Sequence, residues 1–148
     1  MCSSDLKPKH GYVMVQGSSS TVNLVSVLDR LEQDGMNVRV VACISEELFH
    51  RQSADYQNSV LPAEARYDLM VVTTGTRRVW PIQDPGPLTK EYSLVSDWDD
   101  QWLTGGSEAD VIAEAHLDAE SIYRGVKRFA DEHDHRISSQ AKQLADLQ

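Results

Sequence analysis

A short run of small residues near position 20 could bind an anion. Gly17, Ser18, Ser19 and Ser20 lie directly before a segment whose apolar residues recur at helical spacing. The N–H groups in the first turn of a helix lack partners within the helix, so such a start attracts phosphate or carboxylate groups. These four residues therefore form a candidate anion site. A serine-rich helix cap, which needs no ligand, explains the same residues.

A second group of residues could contact another protein. Phe49, Gln52 and Tyr56 follow one another at helical spacing in the segment after Ser45. A tyrosine with a polar tip suits an interface. The alternative is that Leu48 and Phe49 pack in the core, while Gln52 and Tyr56 form hydrogen bonds that hold the helix in place. We treat the first three residues as a candidate interface and keep the core-packing alternative open.

The three tryptophans form a third group. Trp80, Trp98 and Trp102 lie in loop-like segments with many acidic residues. Tryptophan is enriched at the energetic centres of protein interfaces, so these residues could anchor a partner protein. They could equally cover one end of a sheet. The sequence leaves both interpretations open.

Pairs of acidic or histidine residues do not point to catalysis. Asp118 and Glu120 are better explained as the cap and first turn of a helix. His133 and His135 lie near a predicted helix end, where histidine is favoured by the helix dipole. Ser45 lacks the strand-turn-helix context of a hydrolase nucleophile. We therefore expect no catalytic, cofactor-binding or metal-binding residue in this chain.

The elements that must position these residues alternate between strand and helix. Strands are predicted at 12–16, 38–44, 69–74 and 92–95. Helices are predicted at 22–31, from 46 to 56 or 60, at 107–115 and at 118–134. The proline-rich stretch 80–87 is predicted to be a loop. This alternation predicts a three-layer α/β/α sandwich with a mostly parallel sheet of about five strands.

The 148 residues suffice for one domain. We expect a flexible N-terminus over 1–10, a domain over 11–134 and a polar, helical C-terminal tail over 135–148. The tail keeps apolar residues at helical spacing although it is polar overall.

The composition narrows the partners and the compartment. The formal net charge of −9 disfavours binding to nucleic acid or to anionic membrane surfaces. Cys2 and Cys43 have no metal-binding or redox spacing, and Cys43 is expected to be a small buried residue. The first ten residues lack the apolar stretch of a secretory signal, and no segment is long and apolar enough to cross a membrane. We expect a cytoplasmic protein.

An ordered series of motifs resembles the C-terminal domain of transketolases. Gly17-Ser18 and Gly35 are followed by Val38-Arg39-Val40-Val41. The pattern S-x-E-L-F-x-x-Q-x-x-x-Y-x-x-S-V-L-P then runs from Ser45 to Pro62. The match extends from Gly17 to Pro62 without a gap and continues more weakly to about Phe129. This resemblance implies the transketolase C-terminal-domain fold for residues 11–134.

The sequence departs from the family pattern at four places. Trp102-Leu103-Thr104-Gly105 stands where the family has a Phe-Gly-x-Ser turn. Ser19 stands where the family has a glutamate, and Ile44 stands where it has a proline. Thr73-Thr74-Gly75 replaces the Glu-Ala-Gly that usually ends the third strand. The first half therefore keeps the pattern while the second half has diverged.

The resemblance implies a subunit rather than a complete enzyme. Transketolases bind thiamine diphosphate and Mg²⁺ between two other domains, so this chain is expected to bind neither alone. Partner chains would hold the cofactor, and a hetero-oligomer would transfer a two-carbon ketol unit. The diverged second half favours a role in a specialised biosynthetic pathway. Two alternatives remain: a free-standing regulatory or ligand-binding module, and kinship with the equivalent domain of 2-oxo acid dehydrogenase β chains.

Overall fold

A computed structural model describes residues 9–77, 87–97 and 101–146. The strands are β1 Tyr12–Gln16, β2 Arg39–Ala42, β3 Leu69–Thr73 and β4 Leu94–Val95. The helices are α1 Ser18–Gln33, α2 Glu46–His50, α3 Ala54–Val60, α4 Pro87–Tyr92, α5 Glu108–Glu114, α6 Ala119–Asp131 and α7 His133–Ala145. A 3₁₀ helix covers Ala63–Tyr67. In these ranges no helix combines the length and apolar composition that crossing a bilayer requires.

The strands form one parallel sheet in the order β2-β1-β3-β4. The predicted α/β class with a parallel sheet is confirmed, but the described residues contain four strands rather than about five. The fourth strand is also shorter than predicted. Tyr92 ends α4, and the Ser93 hydroxyl oxygen accepts a 2.8 Å hydrogen bond from the Val71 N–H. A side chain thus occupies the place of a backbone partner, and strand pairing starts only at Leu94.

The sheet has two faces because side chains alternate along each strand. We call one the closed face; it carries Val13 and Val15 of β1 together with Met70 and Val72 of β3. We call the other the groove face; it carries Tyr12, Met14, Val41, Leu69 and Val71. The two faces are covered in different ways.

Helices α1 and α6 cover the closed face. The core they share with the sheet consists mainly of Leu24, Val27 and Leu31 from α1 and Ile122, Tyr123, Val126 and Phe129 from α6. α1 begins earlier than predicted, at Ser18 rather than Val22. Gly35 ends it with a φ of 78°, a conformation that suits glycine after a helix. The periodicity of the apolar residues therefore does place this helix on the sheet.

Asp118 caps α6, as the sequence predicted. Its carboxylate accepts hydrogen bonds of 3.0 Å from the N–H groups of Glu120 and Ser121, and one of 2.6 Å from the Ser121 hydroxyl. Burial raises the pKa of this carboxyl group, but the hydrogen bonds prevail and leave the pKa below its usual value. The cap therefore stabilises the start of α6.

Helix α7 is anchored by one buried charge. Arg136 is almost fully buried and donates to the Asp68 carboxylate and to the carbonyl of Phe129. Its guanidinium also lies over the Phe129 ring, 3.7 Å from the centroid. His133, at the start of the helix, contacts Asp68 at 3.2 Å. The composition of this segment predicts only that it is polar. In the structure, the buried Arg136 attaches it to the edge of the sheet where β1 and β3 begin.

Among the residues that the structure describes, the groove face is covered by the connection between β2 and β3. The sequence predicted one amphipathic segment from 46 to 56 or 60, but two short helices, α2 and α3, occupy it. Ser45 caps α2 and Ser53 caps α3, and Arg51 to Ser53 separate them. The separation follows from a second capping serine, whose hydroxyl accepts from the Tyr56 N–H and starts a new helix. No residue of either helix is fully buried, although the strand residues of the groove face beneath them are.

Candidate functional site

An open groove of about 530 Å³ lies between the groove face and the α2–α3 connection. Its floor is formed by strand residues such as Met14, Val41 and Leu69, and its walls by Phe49, Val60 and Leu61 of the connection. Ligand sites commonly have volumes of roughly 300–1,000 Å³ and mainly apolar linings. The groove is therefore large enough to hold a ligand or a short segment of another chain.

The groove runs along the strand direction. Cys43, Ile44 and Ser45 line it and follow β2, so they lie at the carboxyl edge of the parallel sheet. Arg66 and Leu69 also line it and lie just before, or at the start of, β3, at the opposite edge. Four residues of extended strand span about 13 Å. An occupant could therefore contact apolar side chains along the length of a strand.

The predicted interface residues Phe49, Gln52 and Tyr56 all line this groove. Phe49 is half-buried and meets the His50 ring edge-on, whereas Tyr56 is 52% exposed. The Gln52 side chain donates to the Leu48 carbonyl at 3.1 Å, within the same turn. The structure thus brings the three residues together on one surface; whether a partner binds there stays a prediction.

Two exposed apolar residues beside them were not identified from the sequence. Ile44 is 94% exposed and Leu48 is 59% exposed, and both line the groove. The sequence placed Ile44 in a buried strand, but β2 ends at Ala42. Core packing of Leu48 was one of the two alternatives that the sequence left open, and α2 buries none of its residues. Large apolar side chains gathered at an open groove commonly mark a binding surface.

Most of the charges around the groove are already paired. Glu46 contacts His50 at 3.4 Å, and Glu47 contacts Arg51 at 2.5 Å, each one turn apart on α2. Arg66, by contrast, has no hydrogen bond or ion pair within the part of the chain that the structure describes. The groove therefore combines an apolar lining with one cation that no carboxylate of the described residues neutralises.

Cys43 is another groove residue whose chemistry the structure defines. The sequence predicted a buried residue, but its side chain is only half-buried because β2 lies at the edge of the sheet. Burial, and then the nearby Glu46 carboxylate, raise the pKa of its thiol. A raised pKa keeps the sulfur protonated at neutral pH and disfavours a nucleophilic role.

The candidate anion site lies at the carboxyl end of β1, away from the groove lining. Gly17 precedes α1 with a φ of 97°, and a Cβ there would collide with the Thr74 side chain. The structure contradicts the serine-cap interpretation, since no side chain caps α1 and Ser18 and Ser19 lie within its first turn. Ser20 is fully buried and points away from solvent. Anion binding at this position remains a prediction.

The tryptophans do not join the groove in the described structure. Trp80 and Trp98 lie outside the described residues. Trp102 is 98% exposed and is not part of the groove lining. Its proposed role in binding a partner stays a prediction that is separate from the groove.

Fold and site together define a parallel α/β domain with an apolar groove on one sheet face. A profile of the family described as the transketolase-like TK C-terminal domain matches residues 4–83. The chain belongs to this family.

Similarity to a transketolase supports this assignment. The chloroplastic transketolase of Zea mays is 42% identical over 52 residues, which make up 34% of this chain and 8% of that protein. The similarity thus covers a small fraction of the maize enzyme. It supports a relationship between this domain and part of the maize enzyme. It does not show that this chain has the activity of that whole protein.

Proposed function

We propose that this chain is a non-catalytic subunit of a thiamine-diphosphate-dependent, transketolase-like enzyme. The observation that carries the proposal is that the family's S-x-E-L-F…Q…Y…S-V-L-P pattern lines an open, apolar groove. A core element would hide such residues, whereas Leu48 and Tyr56 of this pattern are exposed to solvent. A partner that covers the groove would remove this apolar area from water, which favours association.

In this proposal, other chains supply the cofactor-binding domains. The described residues include no cluster of three or more carboxylate, histidine or cysteine side chains that could hold the metal ion. In the proposal, this chain neither binds the cofactor nor reacts with the substrate. Its role is to complete the assembly and shape the surroundings of the site, and the assembled enzyme would transfer a two-carbon ketol unit between substrates.

Co-purification tests the proposal directly. The tagged chain would be co-expressed with thiamine-diphosphate-binding chains encoded by neighbouring genes, and the eluted complex would be assayed for ketol transfer. We expect a complex whose activity requires both chains. The measurement should include Leu48→Asp, which places a charge on the groove.

Val25→Asp is a matched control for that variant. Val25 is 58% exposed on α1, close to the 59% of Leu48, but it lies on a helix that covers the closed face. We expect Leu48→Asp to abolish co-elution and Val25→Asp to retain it. A chain that always elutes alone and adds nothing to activity would favour the alternative, a free-standing regulatory or ligand-binding module.

A further inference from the structure

Arg66 is the cation that lines the apolar groove. It lies in the 3₁₀ helix before β3, on the same edge of the sheet as Leu69. Its side chain is exposed and makes no hydrogen bond or ion pair with any described residue. The chain has 23 acidic residues and 14 basic ones, so carboxylates that could pair with an arginine are plentiful in it.

The other arginines of the described ranges behave differently. Each donates at least one hydrogen bond to a side chain or a carbonyl of this chain; they are Arg30, Arg39, Arg51, Arg77, Arg124, Arg128 and Arg136. Arg66 therefore differs from the rest both in lacking an internal partner and in lining the groove. A guanidinium presents a planar set of donors that matches a carboxylate.

We propose that the groove is occupied by a segment of the partner chain that presents apolar side chains and one carboxylate, and that this carboxylate pairs with Arg66. The proposal rests on the proposed function and adds the chemistry of the contact. Charge complementarity carries it. An apolar segment alone would bury Arg66 without a partner, which is costly, whereas a segment with a carboxylate pairs the charge as it is covered.

A matched pair of small probes tests this chemistry on the isolated chain. Decanoate and decyltrimethylammonium share the apolar chain and differ in the sign of the head group. Each would be titrated below its micelle-forming concentration while NMR follows the methyl groups of Leu48, Leu61 and Val41. We expect decanoate to shift these signals at lower concentration than decyltrimethylammonium does.

Substitution of the arginine identifies the residue responsible. Arg66→Gln should weaken decanoate binding on the order of tenfold, the effect expected for loss of a charged hydrogen bond. Arg124→Gln removes the same charge from α6, on the closed face, and should leave decanoate binding unchanged. Arg66 is exposed, so both variants should keep the thermal midpoint of the original chain. Equal binding of decanoate by Arg66→Gln and the original chain would overturn the proposal.

The co-purified complex provides the second test. Its dissociation constant should rise with salt concentration, and Arg66→Gln should both weaken the complex and reduce that dependence on salt. A complex that forms equally well with Arg66→Gln would refute the inference and leave the subunit proposal intact. If decanoate selects Arg66 but no complex forms at all, the subunit proposal fails and a protein segment is excluded as the occupant.

Discussion

The two faces of the sheet are covered in contrasting ways. On the closed face, α1 and α6 pack against the strands and bury their apolar residues, Leu24 and Phe129 among them, in one continuous core. On the groove face, a short 3₁₀ helix and the end of α3 cover the strands in part, through Ala65, Val60 and Leu61. The closed face therefore buries its apolar residues within the chain, whereas the connection over the groove face leaves Ile44, Leu48 and Tyr56 in water.

This difference separates stability from interaction. Burial of apolar surface is the main stabilising contribution in folding, so the closed face should dominate the free energy of unfolding. Exposed apolar residues on the groove face contribute little to that free energy. The family's sequence pattern lies along the groove, and the proposed function assigns its exposed residues to binding.

The largest effect is expected from a truncation in the closed face. Phe129 is fully buried in α6, where its ring meets Tyr92 edge-on at 5.7 Å and lies beneath the Arg136 guanidinium. Phe129→Ala should lower the free energy of unfolding by about 3–5 kcal/mol, because it leaves a cavity and removes the ring on which Arg136 rests. Urea titration followed by circular dichroism measures the change. A loss below about 1 kcal/mol would mean that this face is not the main core.

A smaller, pH-dependent effect is expected at the α6 cap. The pKa of Asp118 is lowered in the folded state. Its charge therefore stabilises the fold fully above the ordinary carboxyl pKa, and this stabilisation is lost as the pH falls through the lowered folded value. Asp118→Ala should cost about 1 kcal/mol near pH 7.

Asp118→Asn separates the charge from the hydrogen bonds, because asparagine still accepts from the helix N–H groups. Its stability should lie between those of the original chain and Asp118→Ala near pH 7. The gap between the original chain and Asp118→Asn should narrow below about pH 4. Thermal midpoints recorded across pH provide the comparison, and a gap that stays constant with pH would contradict the role assigned to the charge.

The regular parts of this fold could be predicted from the sequence. The apolar spacing of Leu24, Leu28 and Leu31 identified α1, and the continuous apolar runs identified β1 and β3. Capping residues also carried information, since Asp118 and Ser45 start the helices that they were predicted to start. Local hydrogen bonding and local periodicity determine these features, so a single sequence contains them.

The features that depend on tertiary contacts could not be predicted in this way. A polar tail gives no sign that Arg136 is buried against Asp68, a residue far away in sequence. An apolar run that ends in Ile44 does not reveal that its last residue is exposed, because that depends on where β2 stops pairing with β1. The predicted binding residues Phe49, Gln52 and Tyr56 do share a surface, but the lone charge of Arg66 becomes apparent only when its neighbours are known.

The smallest effect on stability is expected on the groove face, at Ile44. Because Ile44 is 94% exposed, Ile44→Ser removes few contacts and should change the free energy of unfolding by no more than about 0.5 kcal/mol. The same urea titration used for Phe129→Ala measures this change, so the two variants compare the faces directly. If binding explains the exposed residue, Ile44→Ser should also weaken the complex with the partner chain while leaving the fold intact. A loss of stability as large as that of Phe129→Ala would instead show that Ile44 is buried in the folded chain, and the contrast between the closed face and the groove would be wrong.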